Sequence, residues 1–364
     1  MKVTLNDIAK KMNVNPSTVQ RALNGVDGVS DKKREEIQRV AKELGYKKNI
    51  NAASLKMGKQ RIAVVLPDCN TSNRFYSVYL WEGIEKCLAE ITTVSIDVVR
   101  LTYEISPIDQ ITRLEEILKG EHGEIVGIVT RGSRSSELSK CLDKFAKKNI
   151  PVVLAGADSE QTRRICCVKN YEMMAGRMAA DLLLNFGTMT DQSRMIVCGN
   201  FTTLNQYNNS LGFEQQLWEN NVRPNITKIT SDIDSAYIKD SLNDILNSGL
   251  DVAAIYACSA RSTISVCEAV HENKMADKVR IIGSDLFSES ADLIRKDILN
   301  ATLHNQPSAI AHQSLQVLIR YLTKEELSPP TTFEINSVIV MKSNLEYYSA
   351  RDLFGNLNEL TKSR

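Results

Sequence analysis

Ser17, Thr18, Gln20 and Arg21 fall within five residues, and their side chains suit nucleic acid. Serine and threonine hydroxyls can hold phosphate oxygens. Glutamine and arginine are long enough to pair at two points with adenine and guanine edges in the major groove. Val19, Ala22 and Leu23 are interleaved with them, so a helix here buries one face and presents the polar set. Residue patterns that would do catalytic chemistry are missing elsewhere. The chain has no G-x-x-x-x-G-K-[ST], no G-x-G-x-x-G after a strand, no G-x-S-x-G and no H-E-x-x-H. His122, His271, His304 and His312 show no spacing for a shared metal. The eight cysteines include the adjacent pair Cys166-Cys167 but no C-x-x-C, and read as reduced core thiols. No enzyme activity, cofactor or metal is expected.

The polar set needs a scaffold, and the first 48 residues predict one. Thr4 followed by Asp7 resembles a capping box, and Leu5, Ile8, Ala9 and Met12 then make one apolar stripe. Asn15 can cap a second helix, whose first position suits Pro16. Asn24-Gly25 ends that helix, and a loop through Gly28 reaches a third cap at Ser30. Ile37, Val40, Ala41 and Leu44 form the third stripe, and Gly45 stops it. Three short helices with a tight turn between the first two describe a helix-turn-helix unit.

The net charge of the 364 residues is only +1, but the charge is segregated. Residues 1–60 hold 13 Lys and Arg against 6 Asp and Glu, whereas the other 304 hold 32 against 38. A small basic head on a mildly acidic body is the footprint of a phosphate-binding module. No apolar run reaches the ~18 residues that a membrane span needs, and no apolar signal core opens the chain, so a cytoplasmic protein without membrane contact is expected.

The motifs Thr4-Leu5-x-Asp7-Ile8-Ala9, Val14 to Asn24, Val29-Ser30-x-x-x-Arg34, Ala41-x-x-Leu44-Gly45-Tyr46-x-x-Asn49 and Ala52-x-Ser54-Leu55 resemble the headpiece of the lac-repressor/gal-repressor family. The resemblance implies a DNA-contacting set. Thr4, Leu5, Asn15, Pro16, Ser17, Thr18, Gln20, Arg21 and Asn24 come from the first two helices and their ends. Ser30, Arg34, Tyr46 and Asn49 come from the third helix and its flanks. Residues 49–60 fall at the family's hinge helix and linker. There Leu55 matches the residue that wedges between base steps in the minor groove, and Ala52 lets two hinge helices approach. The family usually has Ser where this chain has Gln20, which implies a shifted operator preference.

Residues 61–345 alternate apolar runs with amphipathic stretches. The runs are Ile62–Leu66, Ile125–Val129, Pro151–Ala155, Met195–Cys198, Val252–Ala257, Val279–Gly283 and Ala301–Leu303. Residues 107–119 and 170–184 read as helices between them. This alternation predicts two doubly wound parallel-sheet α/β subdomains around a ligand cleft. Val64 to Asp68, Phe75-Tyr76, Gly212-Phe213, Ile281 to Asp285 and Thr302 to Pro307 are loosely similar to the periplasmic sugar-binding proteins that form this family's regulatory half. That resemblance implies an amino subdomain of about 61–161 plus 290–323, and a carboxyl subdomain of about 162–289 plus 324–345.

By the same resemblance Phe75 and Tyr76 would stack on a sugar ring, and Asp285 would accept sugar hydroxyls. Several polar anchors usual in the family are replaced. Gly156 stands for the Asp at the end of the fourth strand, with Asp158 two residues later. Asn209 stands for an Arg, Ser259-Ala260 for an Asn-Asp pair, and Asn305 for a Gln. A hydroxyl-rich ligand needs partners, because each buried polar group left unpaired costs ~1–3 kcal/mol. Three readings stay open: a differently charged effector met by Arg131, Asp158 or Arg261, a sugar held by regrouped side chains such as Asn208 and Asp158, or a pocket that senses no small molecule.

The expected function is sequence-specific control of transcription, most often repression in this family, by a homodimer on a pseudo-palindromic operator in double-stranded DNA. A small-molecule effector, a sugar or related metabolite, would shift the populations of two subdomain arrangements. A cytosolic solute-binding protein and an enzyme are the rival classes. In residues 346–364, Leu353, Leu357 and Leu360 make a single stripe, too short for a tetramerising coil. Replacing the base-reading side chain, Gln20→Ser, is expected to alter the preferred operator in a binding-site selection, and an unchanged consensus would remove Gln20 from the reading surface.

Overall fold

The computed structural model describes residues 3–23, 28–44, 60–70, 74–91, 95–104, 107–159, 162–187, 193–231 and 235–352. Three helices come first: α1 (Leu5–Met12), α2 (Pro16–Leu23) and α3 (Asp31–Glu43). The Thr4–Asp7 capping box forms as the spacing predicts, and Asn13 ends α1 in the left-handed conformation with φ of 49°. That one residue turns the chain sharply enough for α2 to start three residues later. Ile8, Ala9, Val19, Ala22, Ile37, Val40 and Ala41 close a small common core.

Two six-stranded sheets follow. The first takes β1 (Gln60–Pro67), β2 (Ile96–Tyr103), β3 (Ile128–Thr130), β4 (Val152–Ala155), β5 (Cys166–Asn170) and β11 (Thr332–Ile335), in the order β11-β5-β4-β3-β1-β2. All its pairings are parallel. The second takes β6 (Arg194–Gly199), β7 (Asn225–Thr230), β8 (Val252–Ala257), β9 (Arg280–Ser284), β10 (Ala301–His304) and β12 (Val338–Val340), in the order β12-β10-β9-β8-β6-β7, with only β12 antiparallel.

Both faces of each sheet are covered, because successive side chains of a strand point to opposite sides. Along β1, Ile62, Val64 and Leu66 meet α4 (Arg74–Glu90) and α12 (Pro307–Leu322). Ala63 and Val65 meet α5 (Pro107–Lys119) and α6 (Ser136–Lys147). In the second sheet, Ile196 and Cys198 face α9 (Ser235–Asn247) and α10 (Ala260–Glu272). Met195 and Val197 face α7 (Glu172–Asn185) and α8 (Leu204–Glu219). Gly176 and Gly212 let α7 and α8 touch backbone to backbone: a Cβ on Gly176 would overlap the Asn209 carbonyl, and one on Gly212 the Met173 carbonyl. All eight cysteines are free thiols, seven of them buried.

Strand membership moves all three expected subdomain crossings. The first lies between Asn170 and Glu172, because β5 completes the first sheet; the expectation was 161/162. The second lies between His304 and Pro307, since β9, α11 (Ser288–Arg295) and β10 stay with the second body; the expectation was 289/290. The third lies between Ile335 and Val338 rather than at 323/324. The end of the body also moves. Helix α13 (Leu345–Asp352) docks on the second body through Leu345 and Tyr348, so the tail does not begin at 346. Leu353, Leu357 and Leu360 lie outside the described residues.

Side-chain amides knit the crossings together. Asn170 Nδ2 donates to the carbonyls of Asn305, at 2.7 Å, and Ile335, at 3.2 Å, so one amide ties all three segments. Gln306 Nε2 donates to the Asn336 carbonyl at 2.7 Å, and Ser337 Oγ to Asn305 Oδ1 at 2.7 Å. Truncation by Asn170→Ala strips two carbonyls of a donor in a buried place and is expected to lower unfolding free energy by about 1–3 kcal/mol. Urea unfolding followed by circular dichroism checks this, and an unchanged midpoint would show that the knot is dispensable.

Candidate functional site

The head presents a polar helix face. Ser17, Gln20 and Arg21 are exposed on α2, Thr18 is half-buried, and Val19 and Ala22 point into the core. Exposed Pro16 stands at the first position of α2, and the Asn15 carbonyl accepts the N–H groups of Thr18 and Val19 at 2.9 and 3.2 Å. Thr4 donates its N–H and hydroxyl to Asp7 Oδ2 at 2.8 and 2.7 Å, and these bonds hold the Asp7 carboxyl below its ordinary range. Leu5 packs half-buried against the three-helix core. Ser30 is exposed before α3. Arg34 is half-buried and donates to the Val29 carbonyl at 3.4 Å, so it braces the loop before α3. Asn24, Tyr46, Asn49, Ala52 and Leu55 lie outside the described residues.

The second candidate site is the cleft between the two bodies, at the carboxyl ends of their strands. Arg131 leaves the end of β3 with its backbone pinned: Gln110 Nε2 donates to the Arg131 carbonyl at 2.6 Å and to Thr130 Oγ1 at 2.9 Å. Its guanidinium lies 5.2 Å from the centre of the Tyr76 ring. Arg131 Nη1 is buried and has no hydrogen-bond partner. Gly156, at φ 77°, makes that arrangement possible. A Cβ there would stand 2.8 Å from the Tyr76 hydroxyl and 3.2 Å from Arg131 Nη1. Burial pushes the Tyr76 phenol up to about 12 despite the opposing pull of Arg131.

From the other body comes Asp285, at the end of β9 with φ 68°. Thr302 Oγ1 donates to its carbonyl at 2.7 Å, and its own N–H donates to the Leu303 carbonyl at 2.8 Å. Asn305 Nδ2 donates to its carboxylate Oδ1 at 2.8 Å. Burial raises the Asp285 carboxyl to about 6, against the pull of the Asn305 hydrogen bond and the Arg131 charge. The bodies touch at two rims. At one, Phe75 packs on Phe287 with ring centres 4.8 Å apart, and Arg74 pairs with Glu289 at 2.8 Å. At the other, Arg134 lies 5.9 Å from the Tyr207 ring centre.

Several expected effector contacts are occupied otherwise. Asp158 gives one carboxylate oxygen to Arg164, at 2.5 Å, and the other to the Ser159 N–H at 2.7 Å, so it is not a free cleft acceptor. Ser259 caps α10, accepting the Ser262 N–H at 3.2 Å. Asn305 acts behind Asp285 rather than as a lone acceptor, and Phe75 commits its ring to Phe287. Asn209 is buried on α8 with Oδ1 unpartnered, and Asn208 is half-buried beside it. Tyr76, Arg131 and Asp285 therefore form the cleft's centre. Residues missed in the sequence are Phe287, Glu289 and Gly156 as a clearance. Phe287, two residues past Asp285 in an apolar context, was the one with a readable signal. Among the described residues no group of three or more His, Cys, Asp or Glu could hold a metal ion.

The raised Asp285 carboxyl fixes a sign for pH dependence. Below its ordinary pKa of 3.8 the group is protonated whether folded or not. As pH rises toward about 6, the unfolded chain ionises first, so the stability that this group supplies in acid is lost. Asp285→Asn is expected to remove that decline, so the wild-type-minus-variant difference in unfolding free energy falls between pH 4 and pH 6.5 and then levels. Parallel denaturation curves across that range would show that the carboxyl titrates normally.

Comparison with known proteins matches residues 4–49 to the lacI family of bacterial regulatory proteins, and residues 62–326 to the periplasmic binding protein domain. DegA of Bacillus subtilis, a helix-turn-helix transcriptional regulator, is 28% identical over 293 residues, 78% of this chain and 82% of that one. The sucrose operon repressor of Streptococcus mutans is 30% identical over 187 residues, 51% of this chain and 54% of its own. GanP, a glucose-galactose binding protein from Geobacillus stearothermophilus, shares the fold over 79% of this chain and 99% of its own, with a TM-score of 0.67 and 21% identity. A LacI-type regulator structure from Bacteroides fragilis gives 0.68 at 16% identity, over 80% and 99%. With a DNA-reading head of that type on a body that the periplasmic binding domain nearly fills, the chain belongs to the lacI family of bacterial transcriptional regulators.

Proposed function

We propose that this regulator is a cytoplasmic homodimeric repressor that binds a pseudo-palindromic operator and answers to a small-molecule effector, a sugar or related metabolite. One observation carries the reading: exposed Ser17, Gln20 and Arg21 on α2, and half-buried Arg131 and Tyr76 with buried Asp285 between two bodies, occur in one chain. The sucrose operon repressor among its relatives supports the effector class.

The mechanism follows from where groups sit. Ser17 and Thr18 hold phosphates at the groove edge, and Gln20 and Arg21 read base edges. Two heads on a two-fold axis reach half-sites about one helical turn apart. A ligand between Arg131 and Asp285 bonds to both bodies at once and favours one angle between them. That angle sets the separation of the two linkers and so the operator affinity. No step makes or breaks a covalent bond, so the reading is of a binder and not an enzyme.

Two measurements test this. A metabolite screen by thermal shift should yield compounds that then change operator affinity in fluorescence anisotropy; compounds that stabilise the body without moving operator affinity would sink the coupling. Truncating the guanidinium by Arg21→Ala should cost about 1–3 kcal/mol of discrimination between operator and scrambled DNA. An unaltered ratio would assign Arg21 to the phosphate backbone.

A further inference from the structure

We infer that the cleft takes an anionic polyol, a small hydroxyl-rich molecule whose carboxylate or phosphate docks on Arg131 while its hydroxyls meet Asp285. The inference rests on the reading of this cleft as the effector site and narrows its ligand class.

Two other cations of the first body have a carboxylate beside them. Arg164 has Asp158 at 2.5 Å, and Lys169 has Glu172 at 3.1 Å, all four side chains largely buried. Arg131 is treated differently. Its Nη1 is buried without a partner, and among the described residues no carboxylate stands within ion-pairing distance of its guanidinium. Tyr76 offers its ring and its hydroxyl, which disperse positive charge but do not cancel it. The nearest acidic group in the cleft, Asp285, is bonded to Asn305 instead.

A half-buried guanidinium with a buried, unused N–H is costly, and a hydroxyl would relieve the hydrogen bond but not the charge. A carboxylate or phosphate relieves both, and its two oxygens match the guanidinium fork. Gly156 lets Tyr76 and Arg131 Nη1 pack against the backbone there, since a Cβ would stand 2.8 Å from the Tyr76 hydroxyl and 3.2 Å from Nη1. The Gln110 bonds hold the Arg131 backbone still, so the fork is preorganised. Asp285 supplies the opposite need, an acceptor for hydroxyl groups, held in place by Thr302 and Asn305.

The test is calorimetric titration of the full-length chain with matched probes: glucose, glucuronate and glucose 6-phosphate, and galactose, galacturonate and galactose 6-phosphate. At least one anionic probe is expected to bind about tenfold or more tighter than its neutral parent, the gain of one charge-assisted contact. Arg131→Gln should erase that excess, and Arg131→Lys should keep part of it. On the unaltered chain, the anionic affinity should fall with added salt while the neutral one stays flat, which tests the inference even where the Gln variant folds poorly. Preference for uronates names a carboxylate ligand, and preference for the sugar phosphates names a phosphate. A neutral parent that binds as tightly as its acids overturns the inference. So does a preference that survives Arg131→Gln, or silence from all six probes. A neutral hexose that binds and releases operator would leave the effector reading standing while this narrower one fails.

Discussion

One side-chain amide, that of Asn170, holds the crossing point of three strands of chain. Parallel sheets joined by several crossings leave backbone carbonyls where neither sheet can supply a donor. Asn170 provides for two of them, on Asn305 and Ile335, from the third segment. The bond pattern also reaches the cleft directly, because Asn305 bonds Asp285 with its amide nitrogen and receives Ser337 on its amide oxygen. The Asp285 carboxylate is therefore bonded into the hinge through Asn305. Two hydrogen bonds, from Asn305 to Asp285 and from Asn170 to Asn305, span the distance from the carboxylate to the crossing.

Charge is handled by opposite rules in the two halves. The head leaves its cations in water, where they cost little and can release counterions from DNA. The body buries some of its charges and must answer for each. Asp158 with Arg164 and Lys169 with Glu172 settle the matter between neighbours. Arg131 and Asp285 face one cleft from two bodies without touching. Mildly acidic composition outside the head keeps the body from competing for DNA, so the salt dependence of binding belongs to the first 60 residues.

What could be read in the sequence followed burial. The three head helices announce themselves through caps and stripes, and β1 and β8 through unbroken apolar runs. Strands β2 and β7 were not legible, because they are sheet edges with half-exposed, polar-interrupted patterns such as Ile96–Tyr103 and Asn225–Thr230. The crossings were misplaced for a different reason. Strand β11 joins the first sheet through β5, a partner more than a hundred residues away, and β5 joins it through β4 across a connection whose pattern does not show which sheet it serves. Asp158 was misread because its partner, Arg164, folds back to it only in three dimensions. Arg131, Tyr76 and Asp285 can each be singled out in the sequence, but not their grouping, since the clearance at Gly156 that permits it depends on a positive φ.

The last strands of the two sheets, β11 and β12, come from residues 332–340, near the end of a chain whose head is complete by residue 44. During synthesis the head can fold from local contacts almost at once, whereas both bodies wait for long-range partners. A growing chain thus acquires its DNA-reading surface some three hundred residues before it has a sensor to govern it. Chains cut short before residue 332 would keep the three head helices and lose an outer strand of each sheet, together with the Ile335 arm of the knot at Asn170.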